Sequence, residues 1–454
     1  MKNRPNIILI NCDDLGYGDL GCYGSKKNRT PYIDSLARDG VRFTDFYMAS
    51  PVCSASRAAM LTGCYPPRIG FGDHPVLFPG QERGLSGKEE TIGGLLKRAG
   101  YDTKIVGKWH CGDQPEFLPT EHGFDEYFGI PFSNDMGRQA TNPDRPPLPL
   151  LRDGTVIQQQ PDQRGITERY TDEALQFIAR ERNRPFFLYL AHMYVHLPLF
   201  VPKQFLENSR NGAYGAAVEY IDWSTGVIIE WLKQYGLFDN TLIIFTSDNG
   251  SRDRGEGGSN LPCRGTKGTT WEGGQRVPCI MHWPGVISPG RTYRHAARSI
   301  DFFPTLASLA GETPDGRRPL DGADLSSVIL DNSGDAVDET FFYYRRNGLE
   351  AVRQGDWKLH FHKGKEPLNA LYNLRDDVGE SRNLYDTETG TVKRLTETAD
   401  GMRRDLGDSL TETPGRARRQ SGYVENAKPL TEYREDHPYI VAMYDLPDMP
   451  SMAG

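Results

Sequence analysis

Short unbroken apolar runs alternate with polar stretches along this chain, and several of them end in residues able to do chemistry. Asn6 to Asn11 reads Asn-Ile-Ile-Leu-Ile-Asn, which predicts a strand buried on both faces, and it exits into Cys12-Asp13-Asp14. Phe186 to Ala191 leads in the same way to His192 and His196, and Thr241 to Thr246 leads to Asp248 and Asn249. Lys104 to Gly107 is a shorter run ahead of Lys108 and His110. Helical patterns lie between these runs: Pro31 to Asp39, with Thr30 as cap and Gly40 as stop, and Thr171 to Arg182, whose apolar residues recur at helical spacing. This alternation predicts an α/β fold, a large and mainly parallel sheet sandwiched by helices. Such a fold collects polar residues from distant segments beyond the carboxyl ends of its strands.

The proline-rich Pro143 to Leu151 and the glycine-rich Gly255 to Gly274 predict loops that frame a pocket. Near Asp338 the pattern changes to Phe341 to Tyr344, Leu349 to Arg353 and Trp357 to His362, with Gly355-Asp356 as a turn, which predicts a smaller antiparallel sheet. The expected division is a catalytic unit over residues 1–338 and a C-terminal subdomain over 339–454. Its polar, arginine-rich stretch from Thr396 to Gly422 is expected to wrap the main body.

With 454 residues, 37% of them hydrophobic, the chain can bury a large core. A net charge of −8 argues against nucleic acid or anionic lipid as partners, while leaving room for a local cationic pocket. The seven cysteines include no CxxC pair, and at least one must stay unpaired within the chain. No apolar segment is long enough for a membrane span or an export signal, so the expected location is cytoplasmic if Met1 is native and periplasmic or secreted if a leader was removed.

Several positions carry two readings when taken alone. The composition of Cys53 to Thr62 predicts a short helix stopped near Gly63, which puts Cys53 at the positive end, where backbone N–H groups and Arg57 would lower its thiol pKa; the local context by itself nonetheless favours an inert cysteine. Asp13, Asp14, Asp248 and Asn249 are hard oxygen ligands suited to Ca²⁺ or Mg²⁺, or else ordinary turn and cap residues. Lys108 and His110, two apart, would point to one side of an extended segment with Trp109 turned into packing; the plainer reading is an exposed lysine and a satisfied histidine. His196 and Lys267 are by themselves a packed loop histidine and a solvated charge.

The ordered set Asp13-Asp14, Gly16-Tyr17-Gly18-Asp19, Cys53-Ser54-Ala55-Ser56-Arg57 with Leu61-Thr62-Gly63, Gly107-Lys108-Trp109-His110, Ser247-Asp248-Asn249-Gly250 and Leu371 to Leu384 resembles the formylglycine-dependent type I sulfatases. Gly129 to Met136 is similar to the substrate loop of the arylsulfatase A and galactosamine-6-sulfatase branch. The resemblance implies an alkaline phosphatase-like fold and sulfate-ester hydrolysis through a formylglycine sulfate intermediate, on a sulfated carbohydrate and on aryl sulfates. It implies oxidation of Cys53 to formylglycine by a formylglycine-generating or anaerobic maturing enzyme; Ala55 stands where the family usually has proline, which bears on which maturase acts. It also implies Ca²⁺, ahead of Mg²⁺, on Asp13, Asp14, Asp248 and Asn249.

By the same resemblance Lys108 contacts sulfate, His110 handles the formylglycine hydroxyl proton, His196 is the acid toward the leaving oxygen, Lys267 is a donor beside it, and Ser133 contacts sulfate. Arg57 braces the loop and adds charge, His192 is structural, and His74 and Trp271 are pocket candidates. The alternatives are a phosphodiesterase or phosphonate monoester hydrolase of the same superfamily, and a sulfated-glycan binding protein without turnover.

Overall fold

The computed structural model describes residues 4–432. A ten-stranded sheet runs in the order Arg291–Tyr293, Val41–Phe43, Cys279–His282, Thr241–Ser247, Asn6–Cys12, Phe186–Ala191, Asp102–Gly107, Glu126–Gly129, Pro149–Arg152, Thr155–Gln159. Its five central strands, from Thr241–Ser247 to Glu126–Gly129, are parallel, and antiparallel pairs join them to both margins. All seven residues of Asn6–Cys12 are buried; Ile7 and Leu9 face one apolar core while Ile8 and Ile10 face the other. The unbroken apolar run therefore has a direct cause: this strand has no solvent side.

Helices cover both faces. Pro31–Asp39, Ile166–Ile178 and Gly212–Gln234 supply Leu36, Tyr170 and Ile228 to one core, and Cys53–Thr62, Ile92–Arg98 and Phe302–Ala310 supply Met60, Leu95 and Leu306 to the other. Pro31–Asp39 has the expected bounds, but Thr30 does not cap it through its side chain; its hydroxyl donates to Asp34 instead. The helix expected over 171–182 spans Ile166–Ile178, and the loop expected over 143–151 already contains the start of the strand Pro149–Arg152. The glycine-rich loop ends in a single helical turn, Glu272–Gln275.

The second sheet has four antiparallel strands, Thr340–Arg345, Gly348–Gln354, Trp357–Lys363 and Glu366–Asn373, the last unforeseen. Gly355 makes its turn at φ +59°, a backbone that glycine adopts without strain. The polar stretch after residue 388 is not uniformly extended. Thr389–Leu406 is a helix whose Leu395, Ala399 and Leu406 pack on Leu349, Ala351 and Leu359 of this sheet. Beyond it the chain does run along the main body: Arg419 pairs with Glu89, and Gly422–Tyr423 adds an antiparallel partner to Arg83–Gly84. The expected tail over 433–454 lies outside the described residues. Among the described residues, no helix is long and apolar enough to cross a membrane.

Candidate active site

Strand register places the candidate residues at one end of the sheet. Cys12 lies opposite Ser247 and Gly107 opposite Ala191, so Asp13, Asp248, Lys108 and His192 leave neighbouring strands together. Backbone bonds from Asp248 N to Cys12 O (3.0 Å), Asp13 N to Tyr194 O (3.0 Å) and Lys108 N to Ala191 O (2.8 Å) hold the exits in step. Carboxylate oxygens of Asp13, Asp14 and Asp248 come within 4.8 Å of one another, and all three residues are buried.

Three cations face these three carboxylates. Arg57 is completely buried; its Nε donates to Asp248 Oδ2 at 2.8 Å and its Nη1 to the Lys108 carbonyl at 3.1 Å, while Nη2 lies 2.8 Å from Asp248 Oδ2 without the alignment for a hydrogen bond. Lys108 Nζ donates to Asp13 Oδ2 and, at 3.1 Å, to Ser133 Oγ. Lys267 Nζ sits 2.7 Å from Asp14 Oδ1 and 2.8 Å from Oδ2. Burial works against the charge on Lys267, but Asp14, Cys53 and Asp13 together outweigh it and keep the ammonium protonated. Burial likewise opposes ionisation of Asp13, and Lys108, His196, Arg57 and Lys267 together hold its carboxyl far below the usual range. Asp248 moves upward, through burial and the neighbouring Asp13 charge.

This donor set fits a hard divalent cation. Asp13 Oδ1 and Asn249 Oδ1 are buried with no hydrogen-bond partner among the described residues, although every other oxygen of the cluster is held. Orphaned buried acceptors are costly, and oxygen donors of this type suit Ca²⁺ or Mg²⁺ rather than a thiolate-seeking metal. Asn249 Nδ2 meanwhile donates to Asp14 Oδ1 (2.8 Å) and to the Gly250 carbonyl (2.9 Å), leaving its carbonyl oxygen as the available ligand.

Cys53 is the first residue of the helix Cys53–Thr62, as its composition predicts, and Gly63 ends that helix at φ +68°. The thiol is not activated, however. Burial pushes its pKa up, and Lys108 and Lys267 counter only part of that effect, so the expectation of a lowered thiol pKa at the helix start is corrected by desolvation. Arg57, on the next turn, spends its donors on Asp248 and the Lys108 carbonyl, which is the geometry of a brace.

Lys108 and His110 do not lie on one side of an extended segment. His110 has φ +61°, a left-handed backbone that breaks the extended run, and Nε2 lies 3.0 Å from the Leu77 carbonyl. That bond assigns the proton to Nε2 and leaves buried Nδ1 as an acceptor. Burial and Lys108 push the His110 pKa well down, so the ring is neutral at pH 7. Trp109 is buried, as expected, and donates to the Phe117 carbonyl.

His196 Nε2 lies 3.5 Å from Ser133 Oγ and 3.9 Å from Asp14 Oδ2. Its Nδ1 contacts the Leu197 carbonyl at 2.5 Å and Asn134 Oδ1 at 3.2 Å, and burial with Lys267 lowers its pKa. Asn134 went unassigned in the sequence, since nothing in the spacing links it to a histidine 62 positions on. The Leu77 carbonyl that fixes His110 was equally invisible, because a backbone acceptor leaves no trace in residue type.

His192 stands apart: both ring nitrogens lack partners among the described residues, and burial alone lowers its pKa to about 3. His74 is exposed on the loop whose Pro75 carbonyl accepts from Ala55 N. Trp271 is buried against the second sheet, its ring centroid 4.5 Å from that of His360.

The sequence model described as Sulfatase matches residues 5–312, and that described as N-sulphoglucosamine sulphohydrolase, C-terminal, matches residues 266–405. N-acetylgalactosamine-6-sulfatase of Homo sapiens is 42% identical over 376 residues, covering 79% of this chain and 71% of the relative. Arylsulfatase A of Homo sapiens is 39% identical over 437 residues, covering 86% and 85%. The crystal structure of Ps i-CgsB in complex with k-i-k-neocarrahexaose superposes with a TM-score of 0.79 at 32% identity, over 88% of this chain and 93% of that one. With the family model spanning most of the chain and its sheet bearing the alkaline phosphatase-like arrangement, the protein belongs to the sulfatase family and is a sulfuric ester hydrolase.

Proposed function

We propose that the chain is a Ca²⁺-dependent, formylglycine-using sulfatase that acts on a sulfated carbohydrate. The observation that carries this reading is the convergence of three buried carboxylates with Lys108, Lys267 and the helix-initiating Cys53 at one sheet end. Asp13, Asp14, Asp248 and Asn249 would hold Ca²⁺, which supplies positive charge to a sulfate oxygen and to the nucleophile. Formylglycine at position 53 would supply, as its hydrate, a nucleophilic oxygen for sulfur and a second hydroxyl whose deprotonation would release sulfate and restore the aldehyde.

The remaining work falls to side chains already in place. Lys108 and Ser133, 3.1 Å apart, are donors for sulfate oxygens. His110, with Nε2 tied to Leu77, keeps Nδ1 free to take a hydroxyl proton at position 53. Lys267 carries its proton under the influence of Asp14 and offers positive charge to the departing oxygen. The Leu197 carbonyl and Asn134 Oδ1 hold a proton on His196 Nδ1, so Nε2 carries one only in the imidazolium, which the lowered ring pKa makes the stronger acid toward a leaving alkoxide. Arg57 orients Asp248 and the Lys108 segment.

The carbohydrate assignment draws on the relatives, one named for N-acetylgalactosamine 6-sulfate and one solved with a neocarrahexaose. Intact-protein mass analysis of active material tests the chemistry. We expect the Cys53 thiol to be replaced by aldehyde or hydrate, and activity that EDTA removes and Ca²⁺ restores; full turnover by wholly unmodified protein would reject it.

A further inference from the structure

Beside Lys267 the chain builds a second concentration of positive charge. Arg264, on the same loop, places its guanidinium carbon 3.9 Å from the Trp271 ring centroid, and Lys363, from the second sheet, places Nζ 4.6 Å from that centroid. Arg345, exposed at the end of the strand Thr340–Arg345, donates from Nε to the carbonyl of Gly268, the residue after Lys267, at 3.1 Å. The amide of Gly268 in turn donates to the Pro51 carbonyl, two residues before Cys53. The three cations are thus tied by one loop to the mouth of the reaction site.

None of the three is held in a close carboxylate pair. Among the described residues neither Arg264 nor Lys363 has a carboxylate within 4.0 Å, and Arg345 approaches only Glu350, at 3.9 Å. Glu350 is itself buried and already accepts from Thr270 Oγ1 (2.5 Å) and Gly364 N (2.9 Å). Glu380, the next carboxylate, is paired with Lys358 and His360. Partial burial lowers Lys363 only to about 8, so it stays mostly charged at pH 7. Arg264 gives Nη1 to the Glu380 carbonyl (2.8 Å) and also bonds Tyr372, and Arg345 gives Nε to Gly268, so their remaining guanidinium donors and the Lys363 ammonium are what suit recognition of an anion.

Resting on the sulfatase reading, we propose that Arg264, Lys363 and Arg345 form a second anion subsite, which selects glycans bearing another sulfate or a carboxylate next to the sulfate that is cleaved. The ledge contacts the neighbouring anionic group only, and Lys267 separates it from the scissile oxygen.

The experiment uses the full, matured chain with three probes: N-acetylgalactosamine 6-sulfate, the same sugar with a second O-sulfate, and the same sugar joined to a uronic acid. Wild type is expected to show higher kcat/KM and tighter binding for at least one doubly anionic probe, and which one identifies the second group. In the double variant Arg264→Gln, Lys363→Met the ratio of doubly to singly anionic kcat/KM should fall about tenfold or more. Lys363→Arg should keep that ratio, which separates loss of charge from loss of folding. Equal affinity of wild type for all three probes, or a ratio unmoved by the double variant, overturns the ledge. Should wild type cleave none of them yet bind the doubly anionic probes in calorimetry with a preference that the double variant loses, the ledge stands and the proposed turnover of these sulfated sugars falls.

Discussion

The pair Arg57–Asp248 lends itself to a quantitative test. Both side chains are fully buried, and Arg57 has its Nε and Nη2 each 2.8 Å from one Asp248 oxygen. Arg57→Met removes the positive partner and leaves the Asp248 carboxyl desolvated beside Asp13, where it keeps an unpaired charge or takes up a proton at a cost, a situation worth about 3–5 kcal/mol. An unfolding entropy of roughly 2 cal/mol/K per residue, taken over the whole chain, converts this to a fall in Tm of about 3–5 °C if the chain melts as one unit. Asp248→Asn strands the buried Arg57 guanidinium, whose remaining carboxylate, Asp13, is 3.9 Å away, and should cost a similar amount, about 3–5 kcal/mol. The double variant is expected to be less destabilised than the two single changes added together, by about 1.5 kcal/mol or more. The measurement is chemical denaturation of all four proteins in EDTA, so that no cation replaces the lost guanidinium. Additivity within about 0.5 kcal/mol would show that Arg57 and Asp248 do not stabilise one another, and the bracing role drawn from their contact would be wrong.

Lys358→Met should destabilise by about 3–5 kcal/mol, since Glu272 is buried and draws on Lys358 (2.9 Å), Tyr47 (2.6 Å) and Tyr343 (2.7 Å); faster proteolytic cutting within 264–275 would register the loosening. His196→Ala should lower kcat more for alkyl sulfates than for 4-nitrophenyl sulfate, and equal losses on both would remove its acid role. His192 has a folded pKa of about 3 against an unfolded value near 6.5, so the unfolded chain binds the extra proton and the fold loses about 1.4 kcal/mol per unit as pH falls through that window. His192→Phe should therefore gain on wild type by that slope between about pH 6.5 and 4, measured as paired denaturation midpoints, and a constant gap would show that the ring is not held neutral. Chelation should lower Tm, by an amount equal to about 2.7 kcal/mol where Ca²⁺ had stood at a hundred times its Kd, and an Asp14→Asn variant should respond less.

The parallel centre of the sheet was legible because its strands are buried on both faces, so their apolar runs and polar exits stand out in one dimension. Cys279–His282 was not: four residues between Pro278 and Trp283 carry too little alternation to mark a strand, and only its ladder with Thr241–Ser247 makes it one. The helix Thr389–Leu406 does carry a stripe at three and four spacing, Val392, Leu395, Ala399, Met402 and Leu406, but it is masked by the polar residues around it. At the site, residue types named the carboxylates, lysines and histidines that the structure brings together. They gave no hint of the left-handed backbone at His110, which depends on where the chain must turn after leaving the sheet. The inert thiol that the local context of Cys53 favoured agrees with its surroundings, because a helix terminus helps a thiolate only where water is near, and there the surrounding core wins.

All ten residues of Cys53–Thr62 are buried, and Cys53 itself is 3% exposed. The helix is clamped by Ser56 Oγ on the Asp248 carbonyl, Ala55 N on the Pro75 carbonyl and Arg57 beneath. An enzyme that rewrites the side chain at position 53 has to reach it, and the finished fold encloses it. Any such editing has to happen while the nascent polypeptide is still open, ahead of the moment when the Asp248 strand docks. On the proposed formylglycine reading, the packing of one helix would set the order of events in biosynthesis, and a chain that closes first would keep the thiol.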